Sequence, residues 1–312
     1  MIAINNENEK IVNEIIQTLV NKSIRTFKYT SYKSLRKQAT YFSPVYRDFI
    51  LKLIKNNSLK IKNNYRSFIV PDYGEKEGLQ KRTTNELFTD INNPIALAHE
   101  LGHQIDFWFG KNNSLTSNVV LYDNKTFFDI FTQEFEEKHA ELYATVMNEY
   151  KQIINSNINS GAYNIFINNI DLYRSLENCR GKERKRIQKE LYENGFQEVY
   201  YQVYQKSCYQ ILAQKYIPIL DALSSKYQIR DMLLPGHGMH YYNISKEKAA
   251  IEFFANVFAD KVGSNHNRFG ELIKLMPKSF DAFERLFVIF YDHIQNNKRF
   301  TDVKIKKEDR EA

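Results

Sequence analysis

The segment His99-Glu100-Leu101-Gly102-His103 places two histidines four residues apart, with a glutamate directly after the first. On a helix of 3.6 residues per turn the two imidazoles stack on one face, where their nitrogens can share one metal ion. Glu100 then lies beside that ion without ligating it, free to take a proton from metal-bound water. Imidazole plus carboxylate with one open coordination position suits zinc, and water on such a zinc has a pKa of about 7. The chemistry expected is zinc-assisted hydrolysis, with one ion per chain.

A catalytic zinc needs a third protein ligand. The leading candidate is Glu252, an acid set inside the apolar run AAIEFFANVFA that starts at Ala249. A buried carboxylate needs a cation, and zinc would supply one. Asn256, one turn later, is placed to orient a liganding histidine. The rivals are Glu134, Glu137 and Glu141 in TFFDIFTQEFEEKHAELYA, where the density of acids reads as a solvated face.

Ahead of Glu252 comes LLPGHGMHYYN, a glycine-flanked loop carrying His237, His240, Tyr241 and Tyr242. A phenol or imidazole from it is a candidate donor to the oxyanion formed when a carbonyl is attacked, and packing in a lid is the alternative for each of them. His139, His266 and His293 have no such company and read as surface or core residues.

HELGHQID, NKTFFDIFTQE and IEFFANVFA together resemble the gluzincin-type zincin metallopeptidases typified by the catalytic domain of anthrax lethal factor. GHGMHYY is similar to the zincin-like domain of phage head morphogenesis proteins. The resemblance implies zinc held by His99, His103 and Glu252, with Glu100 as general base. It gives the oxyanion role to Tyr241 or Tyr242, and Tyr241 is taken as the expected donor. The tyrosine does not stand at the lethal-factor spacing from the glutamate. A further likeness of IALAHELGH to oligopeptidase F-type enzymes would move the third ligand to Glu134. Because 148 residues separate His103 from Glu252, the resemblance implies a helical insertion at about 137–230.

These residues need elements to hold them. Asn93 can cap a helix whose first turn holds Pro94 and which Gly110 stops, and Ala98, Leu101, Ile105 and Trp108 give it an apolar stripe apart from the histidines. Ser245 and Gly263 would bound the Glu252 helix, with Phe254, Val257 and Phe258 buried. Residues 8–21 read as an amphipathic helix through Ile11, Val12, Ile15, Ile16, Leu19 and Val20. Ser43-Pro44 reads as the start of a further helix running to Asn56-Asn57. LKIKNNYRSFIV, from Leu59 to Val70, suggests strands or a hairpin, with another short strand near Asn85–Thr89. An edge strand near Tyr65–Val70 could pair with an extended substrate. Residues 126–154 and 163–231 read as helical.

The expected fold class is α+β and mostly helical, with a small sheet over the HExxH helix. The expected organisation is an N-terminal helical region over 1–57, a zincin-like domain over 58–300 with its insertion, and a charged tail over 301–312.

Composition excludes several classes. With 312 residues, 43% hydrophobic and 26% charged, and only 11 glycines and 6 prolines, the chain is neither disordered nor fibrous. No apolar run reaches the roughly 20 residues of a membrane span. MIAINNENEKIV does not resemble a secretory signal, so a cytoplasmic or virion-associated setting is expected. Cys179 and Cys208 lack metal-ligand spacing and read as ordinary thiols. The net charge of +7 and the run CRGKERKRIQKE leave nucleic-acid binding as a weak reading, since the interleaved Glu183 and Glu190 mark a solvated face. The abundance of Asn, Lys, Ile, Tyr and Phe points to an AT-rich bacterial or phage genome. The expected partner is a peptide or protein substrate. The alternative function is a phage virion structural or assembly protein that keeps a zincin fold, with other virion proteins as partners and peptidase activity secondary or absent.

Overall fold

A computed structural model describes residues 2–22, 32–56, 59–63, 68–70, 86–90, 93–110, 119–157, 160–176, 179–201, 210–227, 237, 239–243, 247–263 and 269–296. The chain divides into two compact units, one formed by 1–136 with 250–312 and the other by 137–249. The first unit is thus discontinuous, and the second occupies the stretch in which the insertion was expected at about 137–230.

The first unit begins with helices α1 (Ile2–Lys22), α2 (Tyr32–Tyr41) and α3 (Arg47–Asn56). Val12, Ile15, Ile16 and Leu19 are buried, as the helical spacing of the α1 stripe requires. The Ser43-Pro44 pair does not start α3. Ser43 instead accepts the Tyr46 amide at 2.9 Å in a turn, and the helix begins at Arg47. Proline favours that turn as well as a helix start, which is why the dipeptide misplaces the boundary by three residues.

Three short strands follow, β1 (Lys60–Asn63), β2 (Phe68–Val70) and β3 (Glu86–Thr89), in the order β1-β3-β2. β1 runs parallel to β3 and β2 antiparallel to it. The β1 and β2 segments therefore do not form a hairpin with each other, because β3 takes the place between them. Leu87 in β3 and Ile61 in β1 are fully buried.

The HExxH segment forms α4 (Pro94–Gly110), and β2 and β3 pack against it. Asn93 caps α4 as expected, its Oδ1 accepting the Ile95 amide at 3.2 Å. Leu97, Ala98, Leu101 and Ile105 are buried, while the Trp108 side chain lies outside the described residues. A hairpin of β4 (Val120–Tyr122) and β5 (Lys125–Thr126) turns through Asp123 and Asn124, both at positive φ (51° and 57°), as a tight two-residue turn needs. The Thr126 hydroxyl and Asp129 carboxylate then accept each other's backbone amides at 3.2 and 2.9 Å, which starts α5 (Phe127–Asn157). The first residues of α5 belong to the first unit.

The second unit contains the rest of α5, then α6 (Ser160–Ser175), α7 (Gly181–Glu193), α8 (Phe196–Tyr201), α9 (Gln210–Leu223) and the short α10 (Met239–Tyr242). Phe166, Phe196, Tyr173 and Tyr200 gather between α6 and α8. The basic run on α7 is exposed, and Arg186 pairs with Glu183 at 2.8 Å and Glu190 at 3.0 Å, the solvated face expected of it.

The chain returns to the first unit along α11 (Lys248–Val262), followed by α12 (Phe269–Leu275) and α13 (Pro277–Gln295). α11 begins at Lys248; Ser245, its expected cap, lies outside the described residues. Phe254 and Phe258 of α11, Phe283, Phe287 and Phe290 of α13, and Phe49 of α3 interlock with ring centroids 5.0–6.5 Å apart. Each buried phenyl contributes about 1.5–3 kcal/mol, so this cluster anchors α11 firmly. The first three helices share this unit with α4 and α11: α3 packs on α13 and α2 on α4. Among the described residues no helix is long and apolar enough to cross a membrane. Cys179 is a free thiol; Cys208, His266 and the 301–312 tail lie outside the described residues.

Candidate metal centre

α4 and α11 bring together the three residues expected to hold metal. His99 Nε2 and His103 Nε2 stand 3.0 Å apart, with their rings edge-on at 89°. Glu252 Oε2 lies 3.3 Å from the first and 3.4 Å from the second. Among the described residues of the first unit, this is the one grouping of three side chains whose donor atoms converge in the manner of a metal site.

The spacing fits a metal-ligand set. Charge-assisted N–H···O contacts settle at about 2.7–2.9 Å, and both Glu252 contacts are longer. Donor atoms around a tetrahedral zinc with bonds of about 2.0–2.1 Å stand about 3.3–3.4 Å apart. Two of the three distances match that value and the third falls slightly short of it.

Burial points the same way. Glu252 is 1% exposed, on a helix whose neighbouring Phe253, Phe254 and Ala255 are fully buried. Taking a carboxylate that far out of water costs several kcal/mol unless a cation compensates it. The histidine side chains keep 16% and 12% of their surface, so they are less deeply buried than the carboxylate. Glu100 is buried at 5% exposure, beside His99 on α4. Asn256, expected to orient a histidine, is also buried, one turn beyond Glu252.

The rival ligands have other work. Glu134 is fully buried, and its carboxylate accepts the Lys278 amide at 3.1 Å, the Ser279 amide at 2.7 Å and the Ser279 hydroxyl at 2.7 Å. It caps α13, whose own flanking residue Met276 offers no side-chain acceptor. Glu137 and Glu141 are exposed. No local sequence pattern announces the role of Glu134, because the amides it serves lie more than 140 positions away.

The oxyanion candidates belong to the second unit. Asp221 of α9 accepts the Tyr242 hydroxyl in a short hydrogen bond, together with the His237 amide at 3.1 Å. His237 Nδ1 lies 3.0 Å from the same oxygen, and since a carboxylate only accepts, Nδ1 carries the proton there. The Tyr242 hydroxyl is thereby committed to Asp221. Tyr241 stacks on His237 with centroids 4.2 Å apart, and the Lys248 ammonium stands 4.9 Å from its ring centre. The His240 side chain lies outside the described residues. His139 is a packing residue, its Nδ1 2.8 Å from the Tyr227 hydroxyl. The sequence signal that marks Asp221 is its place as the one acid in the apolar run IPILDAL.

Compared with models of known protein families, with curated proteins and with solved structures, the chain matches none.

Proposed function

We propose that the chain is a zinc-dependent metallopeptidase of the zincin kind, with His99, His103 and Glu252 as the protein ligands. The reading rests on one observation, the convergence of two imidazole nitrogens and one buried carboxylate oxygen within 3.4 Å. Zinc bound there would polarise a peptide carbonyl and make water a competent nucleophile near neutral pH. Glu100 would accept the proton that water loses and pass it to the departing amine, the acid–base work a carboxylate performs when it sits beside a metal without ligating it.

The test combines metal analysis with turnover. Purified chain should carry one zinc, and wild type but not Glu100→Gln should cleave members of a peptide library. Zinc retained without turnover in either protein would refute the peptidase reading and favour a zincin-fold assembly module.

A further inference from the structure

We infer that Gly102, the fourth residue of the HExxH segment, is a positioning residue that sets the separation of the histidines from Glu252. A glycine inside a helix is an unfavourable choice unless something needs the space. A β-carbon built on Gly102 would lie 2.9 Å from the α-carbon of Ala255, 3.2 Å from its carbonyl oxygen and 3.2 Å from the β-carbon of Phe258. None of these is the far end of a flexible side chain. Two are α11 backbone, and the third is the first atom of a phenyl locked in the aromatic cluster.

α4 and α11 therefore touch backbone to backbone through the missing side chain of Gly102. The contact lies close to the ligands of both helices: Gly102 directly precedes His103, and Ala255 lies three residues, nearly one turn, after Glu252. Ordinary contact begins at 3.4 Å, so one methyl group at 102 would push the helices apart by about 0.5 Å. The histidines would move with α4 and the carboxylate with α11. Metal–ligand distances keep to within about 0.2 Å of their ordinary values, so a shift of that size would weaken the ligand set.

This inference rests on the proposed zinc site, and the experiment separates the two. Zinc affinity is measured by competition with a chromophoric chelator for wild type, Gly102→Ala and Gly270→Ala. Gly270 is the control, a helical glycine in α12 with nothing within 4 Å of its built β-carbon. Wild type that binds no zinc refutes the metal reading itself. Given binding by wild type, Gly102→Ala is expected to bind zinc about 10–100-fold more weakly, as other losses of ligand support do, while Gly270→Ala binds as wild type. The visible spectrum of the cobalt-substituted protein adds a readout that loss of stability alone would not move, and the bands of Gly102→Ala should shift from those of wild type. Unchanged affinity and an unchanged cobalt spectrum in Gly102→Ala would overturn the inference. If Gly102→Ala folds poorly, the same measurements on Gly102→Ala/Gly270→Ala, stabilised by the added helical alanine, carry the same two outcomes.

Discussion

Replacing Glu134 by alanine tests the division of labour between Glu134 and Glu252. The carboxylate accepts three hydrogen bonds, from the amides of Lys278 and Ser279 and from the Ser279 hydroxyl. Hydrogen bonds to a charged group contribute about 1.5–3 kcal/mol each, and loss of a helix cap costs about 0.5–2 kcal/mol. Contributions sharing one carboxylate do not add fully, and water can enter the vacated space, so the net loss should be about 2–4 kcal/mol. With an m value of about 2–3 kcal/mol per molar urea, the unfolding midpoint should fall by about 1 M. Trp108, the single tryptophan, lies on α4 and reports the first unit by fluorescence. Zinc binding by folded Glu134→Ala should match wild type. Glu252→Ala should do the opposite, losing zinc while its metal-free form unfolds close to the metal-free wild type or above it, since removing a buried carboxylate relieves its desolvation. A Glu134→Ala protein that keeps its urea midpoint and loses its zinc would refute the assignment and make Glu134 the third ligand.

Chelation should lower the melting temperature of wild type, with the loss growing as free zinc is reduced, and should leave Glu252→Ala unmoved; scanning calorimetry with and without chelator checks this. In the second unit Glu149 binds the Lys215 ammonium at 2.9 and 3.0 Å and the Tyr216 hydroxyl at 2.6 Å, so Glu149→Ala should cost about 1–3 kcal/mol in denaturant titrations. Burial pulls the Lys215 ammonium down, but its hydrogen bonds to Glu149 and Tyr216 outweigh that and hold its pKa above the usual lysine range. The stabilisation from this raised pKa is therefore fully present below the ordinary lysine pKa and is lost only as pH rises through the folded value, so it should not vary in melts across neutral pH. Arg186→Ala on α7 should leave the urea midpoint unchanged, because the arginine and both of its carboxylate partners are exposed to solvent.

Local chemistry was legible in the sequence where the deciding partners are close along the chain. Asn93 and Pro94 fixed the start of α4, and the period of 3.6 fixed the common face of His99 and His103. Glu252 stood out because a charged residue in AAIEFFANVFA needs a reason. What stayed hidden depends on partners distant in sequence. The parallel pairing of β1 with β3 decides between the separate strands and the hairpin that LKIKNNYRSFIV left open, since β3 comes between the two segments. Glu134 sits among acids that do face solvent, and only the arrival of α13 shows it to be a cap. The need for glycine at 102 comes from α11, so neither helix announces it alone. The turn at Ser43 obeys the same proline preference as a helix start, so the residue types could not choose between them.

The discontinuity of the first unit has a consequence for biosynthesis. His103, the later of the two imidazoles, is made 149 positions before Glu252, which at about 5–20 residues per second is a delay of roughly 7–30 s. Until α11 emerges, the nascent chain offers a two-nitrogen half-site and an uncovered apolar helix side through Gly102. The three donor groups can therefore converge only once α11 has been made, so under the proposed reading the ion is captured late, by a unit that is already closing around it.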